Sequence, residues 1–284
     1  MSGKAGPGGT GPHGHPLVEG ISTALSWLSI LPVRGAEVFD TITGRRAMLA
    51  MPVVGVVLGI VGAAVVTAGW VLGTPALLLG VLVVVSWELG TRMMHIDGLA
   101  DVGDALGSYA PPAKAQEILA DKYTGALGMG AVLLTLMATV SATGLLSAAG
   151  PRAMVLVALV PWLARIGALR GCVTDFHPIH AGGFGGLTIG TVPRAGFLAW
   201  AALGVVGSSA AAAWATLPLT PAGLPVLLGV YALLPIGGWL LTTGLLRHCA
   251  RRFAGLNGDC LGAAIEVGTA AHAVLLVLAT YALA

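Results

Sequence analysis

Charge is what this sequence lacks: Asp, Glu, Lys and Arg make up 9% of its 284 residues, against about 25% in an ordinary soluble domain. So few ionisable groups cannot clothe a water-facing surface, and a hydrophobic content of 56% is a membrane composition. Cysteine is scarce too. Cys172, Cys249 and Cys260 are odd in number and form no C-x-x-C pair, which argues against a disulfide framework or zinc site and leaves free thiols. The net charge is only +2 and the arginines are scattered, so the electrostatic footprint of a nucleic-acid binder is missing. The first sixteen residues hold no apolar h-region, so no signal peptide is expected. Rich in Gly, Pro and His, residues 1–16 read as a disordered tail, with His13 and His15 as solvated histidines rather than metal ligands. Residues 17–284 read as one integral membrane domain without internal repeats.

What is abundant is long apolar runs. A spanning helix needs roughly 17–25 mainly apolar residues, and about seven segments qualify: Met48–Leu72, Pro75–Met93, Ala126–Ala149, Ala153–Leu169, Ala195–Leu217, Leu224–Leu246 and Ala263–Ala284. The predicted fold class is all-α, a polytopic helical bundle. Many of its 43 glycines fall inside these runs, where small residues let helices approach closely. Leu17–Leu31 is too short to span and reads as an interfacial or re-entrant helix. Basic residues collect in alternate loops. Arg34, Arg45 and Arg46 precede the first span, Arg92, Lys114 and Lys122 surround the second connection, Arg165, Arg170 and Arg194 flank the fourth, and Arg247, Arg251 and Arg252 open the sixth. The opposite connections carry only Arg152. The positive-inside rule then places the N-terminus and the long loops in the cytoplasm, in a cell (inner or plasma) membrane. Glu88 lies within the second span, either as a functional group or paired with Arg92 one helical turn on.

The acidic residues gather on that same side. In His95-Ile96-Asp97-Gly98-Leu99-Ala100-Asp101-Val102-Gly103-Asp104, Asp97, Asp101 and Asp104 stand at i, i+4 and i+7 and share one helical face. Glu117 and Asp121 share a face in the same way, and Pro111-Pro112 breaks the chain between the two stripes. Up to five carboxylates would thus gather. Like charges at this spacing destabilise a helix by a few tenths of a kcal/mol per pair, a cost that a cation offsets. Hard divalent ions take oxygen ligands, and magnesium uses one or two carboxylates and leaves places for water and phosphate. A pair of ions would clamp both oxygens of an in-line displacement. Small residues Gly98, Ala100, Gly103 and Ala105 would leave room for a diphosphate beside the stripe. A solvated acidic loop is the competing reading, opposed by the lack of any basic residue between Asp97 and Asp104.

The run HIDGLADVGDAL followed by EILADKYTGALGMGA, and the later run from Arg251 to Ala263, RRFAGLNGDCLGA, followed by Glu266, resemble the two signatures of the cobalamin synthase family. Leu31-Pro32-Val33, Met51-Pro52-Val53-Val54-Gly55 and Arg165 also fit. The likeness covers most of the chain beyond the tail. Asn257 stands where the family usually carries Thr and Leu256 where Gly is common; Phe176–Gly186 replaces a region that commonly offers an Arg before a Gly-Leu-Gly turn. In that segment His177 or His180 would contact phosphate, or else the segment is a flexible loop with surface histidines.

The resemblance implies transfer of the adenosylcobinamide phosphate group from adenosylcobinamide-GDP to α-ribazole or its 5′-phosphate, releasing GMP and forming adenosylcobalamin or its phosphate. On that basis Asp97, Asp101, Asp104 and Glu117 are expected to bind Mg2+, with Glu117 or Asp121 as the base. Arg165, Arg251, Arg252, Asn257 and Asp259 are expected to contact substrate; the competing role for the arginines is to set topology. Expected partners are the two substrates and the lipid bilayer, with self-association open and nucleic acid excluded. A CDP-alcohol phosphotransferase is the alternative enzyme, but no Arg follows Ala100 as that family's D-x-x-D-G-x-x-A-R spacing requires. A transporter would show repeats and broken helices with polar groups at the bilayer midplane.

Overall fold

The computed structural model describes residues 12–150 and 152–283. Among them no strand forms; helices account for nearly all the regular structure. In order these are α1 (Pro16–Leu28), α2 (Thr41–Val71), α3 (Ala76–Gly90), α4 (Met94–Gly107), α5 (Pro112–Leu119), α6 (Ala126–Ala148), α7 (Ala153–Leu169), α8 (Gly183–Thr188), α9 (Arg194–Thr216), α10 (Leu224–Arg252) and α11 (Gly258–Leu283). Six are long and apolar enough to cross a membrane, and α3 with α4 adds a seventh, broken crossing. The all-α multi-pass fold is therefore as the composition implies.

Element ends differ from expectation where polar residues extend a helix beyond its apolar stretch. α2 starts at Thr41 rather than Met48 because Asp40 caps it, accepting the N–H groups of Ile42 and Thr43 at 2.9 Å each. α10 runs to Arg252, which puts its basic last turn at the negative end of the helix dipole. The apolar segment after Leu17 is α1, too short to span at 13 residues.

α7 is the central element, packed by α2, α9, α10 and α11. Its contact with α2 is backbone to backbone. A Cβ on Gly59 would lie 2.3 Å from the Ala158 carbonyl oxygen, and one on Gly55 2.6 Å from that of Pro161. Trp87 and Trp239 tie the bundle by donating their indole N–H groups to the carbonyls of Leu58 (2.8 Å) and Leu163 (2.9 Å).

The bend between α3 and α4 positions the chemistry. Arg92 (φ 59°) and Met93 (φ 56°) both adopt the left-handed conformation, which L-residues avoid, and the chain turns by 92°. At 15 residues and about 1.5 Å per residue, α3 falls short of the roughly 30 Å hydrocarbon core. The turn ends the crossing, and α4 runs across the end of the bundle. Arg92 consequently leaves Glu88 and donates to the Trp27 carbonyl at 2.8 Å, so the expected helical pair does not form.

The predicted tail needs a further correction. Residues 1–11 lie outside the described residues, but His13 is docked: its ring nitrogens lie 3.0 Å from Glu19 Oε1 and 3.1 Å from Asp40 Oδ2. Arg46 also reaches Glu19 at 3.1 Å. Acceptors at the start of α1 and α2 thus hold a segment that composition alone reads as solvated.

Overpacking a backbone contact costs about 1–3 kcal/mol. Gly59→Val should therefore lower the unfolding temperature of the detergent-purified protein by several degrees, whereas Gly130→Ala, whose Cβ meets nothing within 4 Å, should leave it unchanged.

Candidate active site

The left-handed turn at Arg92 and Met93 starts α4, and a buried face of Leu99, Val102 and Ala105 holds it on the bundle. Asp97, Asp101 and Asp104 fall on one stripe, as their spacing requires. Asp97 is exposed; Asp101 and Asp104 are half-buried. Across from them α11 begins. Asn257 accepts the Cys260 N–H at 3.1 Å, an N-cap bond, and donates to Asp259 Oδ2 at 2.6 Å. α4 reaches Asp259 because residue 98 is glycine: a Cβ there would stand 2.8 Å from both the Cα and the carbonyl oxygen of Asp259. Gly262 gives the same clearance against the His95 backbone.

Asp101 is the electrostatic centre of this group. Burial raises its pKa to about 6, and the negative charges of Asp259, Asp97, Asp104 and Asp121 add to the shift. Asp259, expected to orient substrate or metal, stands in the acidic cluster.

Of the up to five carboxylates expected to gather, Asp97, Asp104 and Asp121 act on Asp101, but they do not converge on one point and Glu117 stays apart. Asp104 turns to the N-terminus of α6 and accepts the N–H groups of Gly125 at 2.5 Å and Gly128 at 2.8 Å. This is helix capping supplied from another helix, and the glycines are its only trace in the sequence: a Cβ at either would collide with the Asp104 carboxylate. Glu117 points away and pairs with Lys114 at 2.7 Å in solvent. Asp121 does not share a helical face with it, because α5 ends at Leu119; it lies in the following turn, accepting the Tyr123 N–H at 3.2 Å. Among the described residues no three His, Cys, Asp or Glu side chains are arranged to hold a metal ion.

Nor do the small residues of α4 leave space for a diphosphate. Gly98 packs on Asp259, Gly103 on Gly128 and Ala131, and Ala100 and Ala105 are buried. The space lies beside the stripe, in a cavity of about 730 Å³ lined by Asp97 and Asp259 together with the apolar Trp27, Phe39, Met51 and Phe184. A second cavity of about 460 Å³ opens on the other side of Asp97, near Arg92 and Thr124.

The arginines separate into two groups. Arg251 is exposed at the end of α10, and the half-buried Arg252 donates to the Ala110 carbonyl at 3.0 Å, which ties the end of α10 to the α4–α5 link. Arg165 lies inside the bundle, 3% exposed, away from the large cavity. With Glu88, His95 and Glu266 it lines an enclosed void of about 10 Å³. Its Nη1 donates to the Pro161 carbonyl at 3.2 Å, while its Nε and Glu88 Oε2 have no partner. Sequence reasoning missed this polar group because its members come from four different helices.

The segment from Phe176 to Gly186 is pinned rather than loose. Leu256 N–H donates to the His177 carbonyl at 3.0 Å, and Ile179 N–H to the Leu256 carbonyl at 2.9 Å. The side chains of His177 and His180 remain exposed, and the glycines continue into α8.

The sequence profile of the cobalamin-5-phosphate synthase family matches residues 20–279. The chain is 45% identical over 283 residues to the adenosylcobinamide-GDP ribazoletransferase of Corynebacterium efficiens, covering 98% of each. It is 41% identical to the protein so named from Corynebacterium diphtheriae, covering 97% of each. That of Corynebacterium glutamicum is 40% identical over 266 residues, 87% of this chain and 85% of the relative. No solved structure matches.

Because the folded-state pKa of Asp101, about 6, exceeds the ordinary 3.8, the stability it contributes is present below about pH 4 and lost as pH rises through 6. In EDTA, Asp101→Asn should therefore have a higher unfolding temperature than the parent at pH 8, with the gap closing by pH 4; a gap independent of pH would refute the crowding of charge. Gly98→Ala should lower turnover at least tenfold by pushing α4 from Asp259, with the protein still folded by its elution as a single species.

Proposed function

The chain belongs to the cobalamin-5-phosphate synthase family, which acts late in cobalamin biosynthesis, and from that premise we propose that it transfers adenosylcobinamide phosphate from adenosylcobinamide-GDP to α-ribazole or α-ribazole 5′-phosphate. The observation that carries this reading is the carboxylate cluster around Asp101, two of whose members, Asp97 and Asp259, line the 730 Å³ cavity.

A hydroxyl of the acceptor attacks the phosphorus nearer the cobinamide. The new P–O bond forms as the bond to the bridging oxygen breaks, GMP leaves with that oxygen, and the hydroxyl proton passes to a carboxylate. Asp121, exposed beside the cluster, is the proposed base. Phosphoryl transfer asks a protein chiefly for positioning and charge neutralisation. Asn257 fixes the Asp259 carboxylate by its 2.6 Å hydrogen bond, and Arg251 and Arg252, at the end of α10, are the proposed phosphate contacts, for which the guanidinium fork is suited. Arg165 supports the site from within.

The donors suit Mg2+. All charged groups shifting Asp101 are carboxylates, and magnesium takes one or two of these and completes its shell with water and phosphate oxygens, which accords with the lack of a three-ligand cage among the described residues. Asp101 with one of its neighbours, Asp97 or Asp259, would hold it. Bound there, it would neutralise the diphosphate. The basic residues around this end of the bundle support a cytoplasmic active site in the cell membrane.

The purified protein, given adenosylcobinamide-GDP and α-ribazole, should release GMP and form cobalamin. EDTA should stop the reaction and Mg2+ restore it; undiminished turnover in EDTA would remove the metal from the scheme. Asp101→Asn should abolish GMP release in a protein that remains folded and membrane-inserted, and wild-type turnover in that variant would remove Asp101.

A further inference from the structure

The apolar part of the 730 Å³ cavity is built for a flat ring. Trp27 from α1 stacks on Phe39 from the α1–α2 link, with centroids 6.0 Å apart and planes at 11°. Phe184 from α8 meets Trp27 edge-on at 5.8 Å. Three separate segments thus deliver one aromatic wall, and Met48, Met51 and Leu187 extend it. Phe39 is 59% and Phe184 37% exposed, so the wall has apolar surface left to cover. Asp97 and Asp259 line the same cavity.

We propose that this wall is the subsite for the heterocyclic base of the acceptor, the dimethylated benzimidazole of α-ribazole, held so that its ribose points at Asp97 and Asp259. The assignment rests on the reaction proposed above. That reaction brings three flat groups to the protein, and the cavity discriminates among them. Its volume lies in the range of about 300–1,000 Å³ that houses small ligands, enough for a two-ring base with its sugar and too little for a corrin with its side chains and nucleotide. Guanine needs several hydrogen-bonding partners along its edge, whereas around the aromatic wall the lining offers rings, thioethers, a leucine and the single hydroxyl of Ser26, with His95 buried. Arg92, the cation in the lining, is engaged with the Trp27 carbonyl at 2.8 Å. A base whose edge carries methyl groups makes no such demand and covers the exposed rings. Gly183 and Gly258 also line the cavity, and a Cβ on Gly258, the neighbour of Asp259, would stand 3.3 Å from the Phe184 ring, so the ring wall adjoins the carboxylates.

Base–aromatic stacking is worth about 1–3 kcal/mol by alanine substitution, so Trp27→Ala and Phe184→Ala should each raise KM for α-ribazole on the order of tenfold while leaving KM for adenosylcobinamide-GDP unchanged. Free 5,6-dimethylbenzimidazole should quench tryptophan fluorescence of the wild type and fail to do so in Trp27→Phe; guanosine should not quench. A rise in KM for the GDP-linked substrate, quenching by guanosine, or no quenching by either compound would overturn the assignment, the last leaving lipid as the occupant. Should Trp27→Ala not fold, Phe184→Ala, on a short surface helix, decides the kinetic arm. The binding arm needs no turnover: quenching without GMP release would reject the reaction and keep an aromatic-base site, whereas turnover with the opposite KM split would reject the subsite alone.

Discussion

The whole site depends on how closely the backbone of α4 approaches the first turn of α11. Gly98 meets the Asp259 main chain with no room for a Cβ, and Gly262 meets that of His95. Two helices far apart in the chain therefore touch where each carries acidic residues. The approach also requires the left-handed turn at Arg92 and Met93, since a straight continuation of α3 would carry Asp97 and Asp101 away from the end of the bundle. Backbone strain and missing side chains here serve one purpose, the assembly of like charges that would otherwise separate.

Holding those charges together has a compensating element in the helix ends. α6 and α11 both begin at the cluster, and the N-terminus of a helix carries about half a positive charge. Asp104 takes up the exposed N–H groups of α6 directly, and Asp259 lies in the first turn of α11. The fold thus supplies fixed partial charge where it supplies no lysine. Asp104 is then at once a member of the acidic stripe and the clip that fastens α6 beside it, which couples the geometry of the site to the packing of a membrane helix.

Much of this was legible in the sequence because long apolar runs and i, i+4, i+7 spacing are local patterns. The spans, the break at Pro111-Pro112 and the common face of Asp97, Asp101 and Asp104 all follow from neighbours within two or three turns. What escaped was non-local. Nothing near Asp104 announces that its partner is the backbone of Gly125, and nothing near Glu117 says that Lys114, rather than Asp101, will claim it. The run of Gly98, Ala100, Gly103 and Ala105 was read as room for substrate, but the space they leave is filled by α11 and α6. Arg165 reads in the sequence as a phosphate contact or a topology-setting charge, yet helix geometry turns it inward toward residues of α3, α4 and α11.

That inward arginine bears on how the protein is made. During synthesis Glu88 emerges with α3, its neighbour Arg165 follows only with α7, and Glu266 comes with the last helix of all. A lone ionised group within lipid is costly, and α3 is too short to cross unaided. The polar group around Arg165 is therefore complete only once α3, α4, α7 and α11 have all been made, so the last helix of the chain closes a contact that one of the first leaves open.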